Sequence, residues 1–155
     1  MSTIEATQYP GHMAQDKPTD TELAESRELS GRIFAVADLA RQTFADVSAS
    51  HGLTAQQART VLLLEDPQPM SAIAEHLRCD PSNVTGLADR LERAGTIERI
   101  PGPDRRTRLL RLTRDGRRLR ARLATSVAKR STLTARLSRP ERAQLALLLD
   151  KVLAD

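Results

Sequence analysis

Arginine is concentrated in one stretch of this 155-residue chain, residues 99–122, where ten arginines accompany only Asp104 and Asp115. Residues 1–98 carry 8 basic and 15 acidic side chains, so the overall charge of +4 hides a strongly uneven distribution. Arginine binds phosphates and guanine edges through two parallel hydrogen bonds. The stretch therefore predicts a polyanionic partner, of which nucleic acid is the commonest. A solvated arginine-rich helix face is the alternative.

A second polar pattern lies just before this stretch, on a predicted helix that opens with Asp80 as N-cap and Pro81 at its first position. Val84, Leu87, Ala88 and Leu91 recur at helical spacing and predict a buried face. Small hydrogen-bonding side chains and arginines then point outward, which is what a helix in the DNA major groove needs. We expect Asp89, four residues before Arg93, to orient that arginine. The outward residues are Ser82, Asn83, Thr85, Gly86, Asp89, Arg90 and Arg93.

Two β-prone runs, residues 97–100 and 107–112, flank the Pro- and Gly-containing segment 101–106 and predict a β-hairpin. Its tip carries Asp104, Arg105 and Arg106, with Arg108 at the start of the second run. Arginine is attracted into narrow minor grooves by their negative potential. We therefore predict that this tip enters a minor groove beside the helix, with Asp104 bracing one guanidinium.

Other chemistry has little support in the sequence. His12, His51 and His76 share no helical spacing, so we predict no metal site, no cofactor and no enzymatic activity. Glycine-rich phosphate loops and nucleophile motifs are absent. The single cysteine, Cys79, cannot form an intrachain disulfide. It precedes the polar helix, and we expect it to be inert, with oxidation that weakens DNA binding as the alternative.

The remaining elements must position these groups. Residues 1–20 are predicted to form a flexible tail, followed by one amphipathic helix over roughly residues 21–49 that Gly52 stops. Thr54 and Gln57 form a capping-box pattern for a second helix reaching about Glu65, and a short third helix starts near Ser71. Thr113 is predicted to cap a fifth helix that extends to about Arg136. A second capping box, Ser138 with Glu141, opens a last helix predicted to bury Leu145, Leu148, Leu149, Val152 and Leu153.

This order predicts a mainly α fold of the α+β winged-helix type, with about six helices and a β-hairpin wing. We divide the chain into residues 1–20 as a tail, 21–52 as a dimerisation helix, 53–113 as the winged helix-turn-helix and 114–155 as C-terminal dimerisation helices. The apolar run 145–149 is wider than a single core stripe, which favours packing against a second copy. A monomeric bundle that covers this run internally is the alternative.

The composition is that of a globular protein, with 39% apolar and 28% charged residues. No apolar run approaches the roughly 18 residues of a membrane span. Glu5 and the absence of an apolar segment near the start predict no secretory signal. We therefore expect a cytoplasmic protein with no membrane partner.

The combined pattern over roughly residues 53–122 resembles the MarR family of bacterial winged-helix regulators. The motifs that carry the resemblance are Leu53-Thr54…Gln57, Ile73-Ala-Glu-His-Leu77, Asp80-Pro-Ser-Asn-Val-Thr85…Asp89-Arg-Leu91…Gly95, Asp104-Arg-Arg106 and Leu112-Thr113…Gly116.

The resemblance implies a homodimer that binds double-stranded DNA at a pseudo-palindromic operator, usually as a repressor released by a small phenolic or anionic ligand. It implies groove contacts for Ser82, Asn83 and Thr85, and a wing pair of Asp104 and Arg106. Gly86 departs from the pattern, because some members carry arginine there. Arg32, Arg41 and His51 are candidates for meeting an anionic ligand, and plain surface residues are the equal alternative. A winged-helix module that binds a protein partner and never DNA is the alternative.

Overall fold

The computed structural model describes residues 19–103 and 107–154, and these form seven helices and three short strands. The helices are α1 (Asp20–Ser50), α2 (Ala55–Leu63), α3 (Met70–Leu77), α4 (Pro81–Arg93), α5 (Arg114–Arg130), α6 (Thr132–Arg136) and α7 (Arg139–Leu153). The strands are β1 (Gln68–Pro69), β2 (Ile97–Pro101) and β3 (Arg108–Leu112). The predicted mainly α winged-helix fold is confirmed. Most of the predicted tail lies outside the described residues.

The helix boundaries follow local capping chemistry. Thr54 Oγ1 accepts the amide of Gln57 at 3.2 Å, and the Gln57 side chain accepts the amide of Thr54 at 2.8 Å, so the predicted capping box of α2 is confirmed. Thr19 and Glu22 make the same reciprocal bonds at the start of α1, at 2.8 and 3.2 Å. This box was missed in the sequence, although its spacing is identical.

Helix α4 begins as expected, with Asp80 at the N-cap and Pro81 in its first turn. The Asp80 carboxylate, however, accepts no capping hydrogen bond. Gly95 follows the helix with φ of +68°, a left-handed conformation that glycine adopts without steric cost. The helix therefore ends where the sequence predicts, and the chain turns directly into β2.

The sheet is larger than the predicted hairpin. Strands β2 and β3 pair antiparallel, with Arg99 opposite Leu110, and β1 adds to the other side of β3, with Gln68 opposite Leu110. Strand β1 was missed because Pro67 and Pro69 indicate only a helix end, while its pairing joins residues about forty positions apart. This pairing fixes the segment between α2 and α3 against the base of the wing.

The fifth helix is shorter than predicted. It ends at Arg130, and Ser131 is extended (φ −60°, ψ 117°) before the separate helix α6. The Thr134 hydroxyl donates to the carbonyls of Ala128 and Ser131, at 3.0 and 3.1 Å. Hydroxyl side chains that bond to nearby carbonyls compete with the regular helix, which is consistent with a break at Ser131.

The core is aliphatic and lies around the polar helix and the sheet. It joins α2, α3 and α4 to the two longer strands, and Val47 of α1 and Leu123 of α5 cover it. Its fully buried large side chains include Leu64, Ile73, Leu91, Ile97 and Leu110. Because the buried face of α4 belongs to this core, its opposite face is held outward.

The chain contacts define two units, residues 1–35 and 36–155, with the boundary inside α1. In the described part of the first unit, Arg32 pairs with Glu28 at 2.5 Å. Leu29, Ile33 and Phe34 are exposed there, at 53%, 49% and 66%.

Within the second unit, α7 leaves most of its apolar side chains exposed. The predicted burial of Leu148, Leu149, Val152 and Leu153 is wrong within a single chain, where they are 40–78% exposed, and Leu145 is half-buried. No other described element of the second unit buries these side chains. Among the described residues, no helix is both long and apolar enough to cross a bilayer.

The predicted capping box of α7 is present. The Glu141 carboxylate accepts the backbone amide and the hydroxyl of Ser138, at 2.7 and 2.6 Å. These hydrogen bonds, led by the hydroxyl, hold the pKa of Glu141 below its ordinary value.

Candidate nucleic-acid interface

Helix α4 has the two faces that the sequence predicts. Val84, Leu87, Ala88 and Leu91 are buried, whereas Ser82, Asn83, Thr85 and Gly86 are exposed. The Thr85 hydroxyl donates to the carbonyl of Pro81 at 3.3 Å, a long bond that leaves its oxygen free to accept. A Cβ added to Gly86 would have no neighbouring atom within 4 Å, so the surface at this point is open. The first two turns therefore present a smooth polar face able to approach base edges closely.

The two arginines of α4 are exposed as predicted, but the expected role of Asp89 is wrong. Arg93 Nε donates to the backbone carbonyl of Asp89 at 3.3 Å, not to its carboxylate. The carboxylate instead accepts Arg99 Nη2 at 2.5 Å. Arg99 reaches it from β2, which passes close to the helix after the turn at Gly95. The Arg90 side chain makes no hydrogen bond or ion pair with another described residue.

Arg99 also donates to the Glu92 carboxylate, so one guanidinium joins two acids on α4. The hydrogen bond to Asp89 raises the pKa of Arg99 above its already high ordinary value. Sequence reasoning counted Arg99 only as part of the cationic stretch. Alternation along the strand could have revealed its role, because Arg99 lies on the same side of β2 as the buried Ile97.

Several other arginines of the cationic stretch serve the fold. Arg111 pairs with Glu98 across the hairpin at 3.0 Å, and Arg120 pairs with Glu65 at 2.8 Å and donates to the carbonyl of Leu62 at 3.3 Å. Arg117 donates to the carbonyl of Leu112 at 2.9 Å. The net charge counted from the sequence of this stretch is therefore larger than the positive charge that a polyanion can reach.

Three arginines of the stretch are exposed and their side chains make no hydrogen bond or ion pair to any other described residue: Arg108, Arg114 and Arg122. The tip residues Asp104, Arg105 and Arg106 lie outside the described residues, so the predicted Asp104 brace stays a prediction. The two arms of the hairpin stay paired up to the edge of this segment, because Gly102 N donates to Thr107 O at 2.9 Å.

A compact junction holds the wing and α5 in place. The Thr113 hydroxyl donates to the carbonyls of Gly95 and Thr96, at 2.7 and 3.2 Å, and accepts the amide of Gly116 at 3.0 Å. Thr113 is therefore the predicted N-cap of α5 and also fastens the turn after α4. A Cβ on Gly116 would stand 2.0 Å from the Thr96 carbonyl oxygen, so only glycine fits there.

The remaining candidates are scattered. His76 is exposed and contacts the Ala72 carbonyl through Nδ1 at 2.9 Å, while His51 Nε2 lies 3.0 Å from Ser126 Oγ. Arg41 pairs with Asp38 on α1, as Arg32 does with Glu28. In the part of the chain that the structure describes, no three His, Cys, Asp or Glu side chains are grouped to hold a metal. Cys79 is half-buried, and His12 lies outside the described residues.

Comparison with known proteins assigns this arrangement to a family. Residues 53–107 match the family model described as the MarR family. The transcriptional activatory protein BadR of Rhodopseudomonas palustris is 30% identical over 111 residues, which cover 68% of this chain. The matched part spans 63% of the length of that relative.

Solved structures agree over most of the chain. A mutant MarR from E. coli complexed with operator DNA is 26% identical, with a TM-score of 0.69 over 85% of this chain and 98% of the other. CouR from Rhodococcus jostii bound to p-coumaroyl-CoA is 25% identical, with a TM-score of 0.70 over 82% and 92% of the respective chains.

Proposed function

The chain belongs to the MarR family, and from that premise we propose that it is a sequence-specific DNA-binding regulator of transcription. The observation that carries the proposal is the exposed polar start of α4, held outward by a buried apolar face and lying beside the β2–β3 hairpin. The similar fold of a MarR protein in complex with operator DNA supports the same use of this surface. The regulator acts on bacterial DNA in the cytoplasm and has no catalytic role.

The proposed contacts divide between two grooves. Ser82, Asn83, Thr85, Arg90 and Arg93 of α4 lie in the major groove, where hydroxyl, amide and guanidinium groups read base edges or bind phosphates. Gly86 permits the helix to approach closely. Arg108 and the tip residues Asp104, Arg105 and Arg106 lie in the flanking minor groove. Asp89 belongs to this surface but acts on it through Arg99.

We propose that the working form is a homodimer on a pseudo-palindromic operator. The exposed apolar side chains of α7 support this, because five large apolar residues on one helix are seldom left in water. Leu29, Ile33 and Phe34 of α1 are exposed in the same way. Residues 21–52 and 114–155 are then the dimerisation segments, and residues 53–113 the DNA-binding region. Two copies related by a twofold axis would present two α4 helices to successive major grooves.

We further propose repression that is relieved by a small phenolic or anionic ligand. The support is indirect, from CouR with its bound p-coumaroyl-CoA. BadR is described as an activatory protein, so the direction of regulation must be measured. A reporter driven by the promoter of the chain's own gene tests this, because deletion of a repressor raises expression and deletion of an activator lowers it.

Selection from a random pool of duplexes by the full-length protein tests DNA binding directly. We expect enrichment of an inverted repeat whose half-sites are centred about 10 base pairs apart, one turn of B-form DNA. Affinity for the selected duplex should fall steeply with salt, since several phosphates are neutralised. A pool without enrichment, together with salt-independent binding, would favour a protein-interaction module instead.

Arg90→Ala provides the matched test of the α4 face. Because Arg90 has no partner among the described residues, its truncation should leave the fold intact and weaken binding to the selected duplex by about 1–3 kcal/mol. Arg111→Ala removes an exposed arginine that pairs with Glu98 and is not among the proposed contacts, and it serves as the control. Equal affinities of the two variants would contradict the proposed surface.

A further inference from the structure

Arg99 joins the two elements that the proposed function places in different grooves. It lies in the middle of β2, and its two terminal nitrogens bind carboxylates at positions 89 and 92 of α4. These positions are one helical turn apart, so a single planar guanidinium spans one turn of the helix. Of the ion pairs of the described residues, only these connect α4 to the hairpin.

The surroundings of this link favour a geometric role. The Arg99 side chain is 26% exposed, against 65–70% for the arginines of the α1 pairs, so its position is better defined than that of a typical surface ion pair. The chain between the two elements turns at Gly95, which lacks a side chain to restrict rotation. Thr113 fastens this turn at the base of the wing. Arg99 links the strand after this turn to the helix before it.

The electrostatic effect of Arg99 is separate. Asp89 and Glu92 place two negative charges beside Arg90 and Arg93, on a surface proposed to meet phosphates. Arg99 compensates one of these charges. An effect of Arg99 on DNA binding could therefore arise from position or from charge, and the two must be separated by experiment.

We infer that Arg99 is a positioning residue that sets the angle between α4 and the wing, so that both reach their grooves together on one duplex. The inference rests on the proposed DNA-binding function. It also explains why an acidic residue, Asp89, stands on a DNA-facing helix, since the carboxylate is the anchor for the wing strand and does not read bases.

The first test measures the affinity of full-length variants for the selected duplex and for an unrelated duplex of equal length. Arg99→Gln should weaken binding to the selected duplex about tenfold and binding to the unrelated duplex much less, because specific binding alone needs both grooves. Arg111→Gln is the matched control, because it removes an arginine pair of the same hairpin that does not reach α4. Arg99→Lys should recover part of the loss, since an ammonium group can bind one carboxylate at a time.

Hydroxyl-radical footprinting separates positioning from loss of the fold. Arg99→Gln should keep the protection at the α4 half-sites and lose it in the flanking minor grooves, whereas an unfolded variant would lose both. Wild-type footprints and affinities for Arg99→Gln would overturn the inference. So would recovery of wild-type affinity in the double variant Asp89→Asn with Arg99→Gln, because that result would assign the whole effect to charge.

A DNA-free measurement distinguishes failure of this inference from failure of the proposed function. Spin labels on cysteines placed at Thr85 and Arg108, in a Cys79→Ser background, report the distance between α4 and the wing. We expect Arg99→Gln to broaden that distance distribution and Arg111→Gln to leave it unchanged. If the wild-type protein enriches no duplex, the proposed function fails, and this measurement still decides whether Arg99 sets the angle. An unbroadened distribution in Arg99→Gln would refute it.

Discussion

At the scale of single residues, arginine has two distinct uses in this chain. Arg99, Arg111 and Arg120 bind carboxylates and hold elements together, whereas Arg90, Arg108 and Arg122 remain exposed without such partners among the described residues. The sequence alone could not separate these groups, because the acidic partners lie 7 to 55 positions away. Net charge in a stretch of sequence therefore overestimates the charge available for binding.

The tip residue Arg106 carries the prediction for the wing. Arg106→Ala should weaken binding to the selected duplex by about 1–3 kcal/mol, as for a well-placed groove arginine. Gel-shift titration measures the change, and Arg111→Ala, whose partner Glu98 lies on the same hairpin, controls for the loss of one positive charge. Wild-type affinity for Arg106→Ala would remove the wing from the proposed contacts.

Two glycines in helices predict opposite effects of the same substitution. Gly116→Ala should destabilise the fold by about 1–3 kcal/mol, because its Cβ would collide with the Thr96 carbonyl at 2.0 Å. Gly86→Ala has nothing within 4 Å and should stabilise α4 by about 0.5–1 kcal/mol. Urea denaturation of both variants measures these changes. A stabilised Gly116→Ala would contradict the packing of the junction.

At the scale of elements, the predictions from the sequence were right where the contacts that determine the structure are local. The boundaries of α2, α4 and α7 were predicted well, because Thr54, Gly95 and Ser138 act on their own neighbours. The sidedness of α4 was likewise confirmed from its apolar spacing. Strand β1 was missed, and the role of Asp89 was predicted wrongly. Both depend on contacts between elements that are distant in sequence.

The capping box of α7 predicts a local response to acid. The pKa of Glu141 is lower in the folded chain than in the unfolded one, so its contribution is present above the ordinary carboxyl pKa and is lost as pH falls through the lowered value. Amide exchange in the first turn of α7 should therefore accelerate on acidification. Glu141→Gln keeps an acceptor but cannot ionise, and its exchange should lack this step. An identical step in both proteins would assign it to another group.

At the scale of the whole molecule, the apolar face of α7 predicts the assembly. Leu148→Asp should shift the protein from dimer to monomer, because it puts a charge in the middle of a surface that must be desolvated. Gln56→Asp on α2 introduces the same charge at an exposed position outside the proposed dimerisation segments and should leave the dimer intact. Sedimentation velocity distinguishes the two results. A dimer that tolerates Leu148→Asp would place the interface elsewhere.

The apolar run of α7 also predicts how one chain packs against another. The run Leu145–Leu149 was predicted to be covered, and in one chain it is not, so the same apolar pattern that gave a wrong burial prediction supports a second copy. The division into tail, dimerisation and DNA-binding segments stays a prediction.

The strand order β1-β3-β2 leaves two outer strands, and each ends in proline, Pro69 in β1 and Pro101 in β2. Proline offers no amide hydrogen to an incoming strand and is among the ways in which natural sheets avoid recruiting further chains. The two outer edges of this sheet are therefore poor templates for an added strand. Exchange of Pro69 or Pro101 for a β-branched residue would open the sheet to edge-to-edge growth.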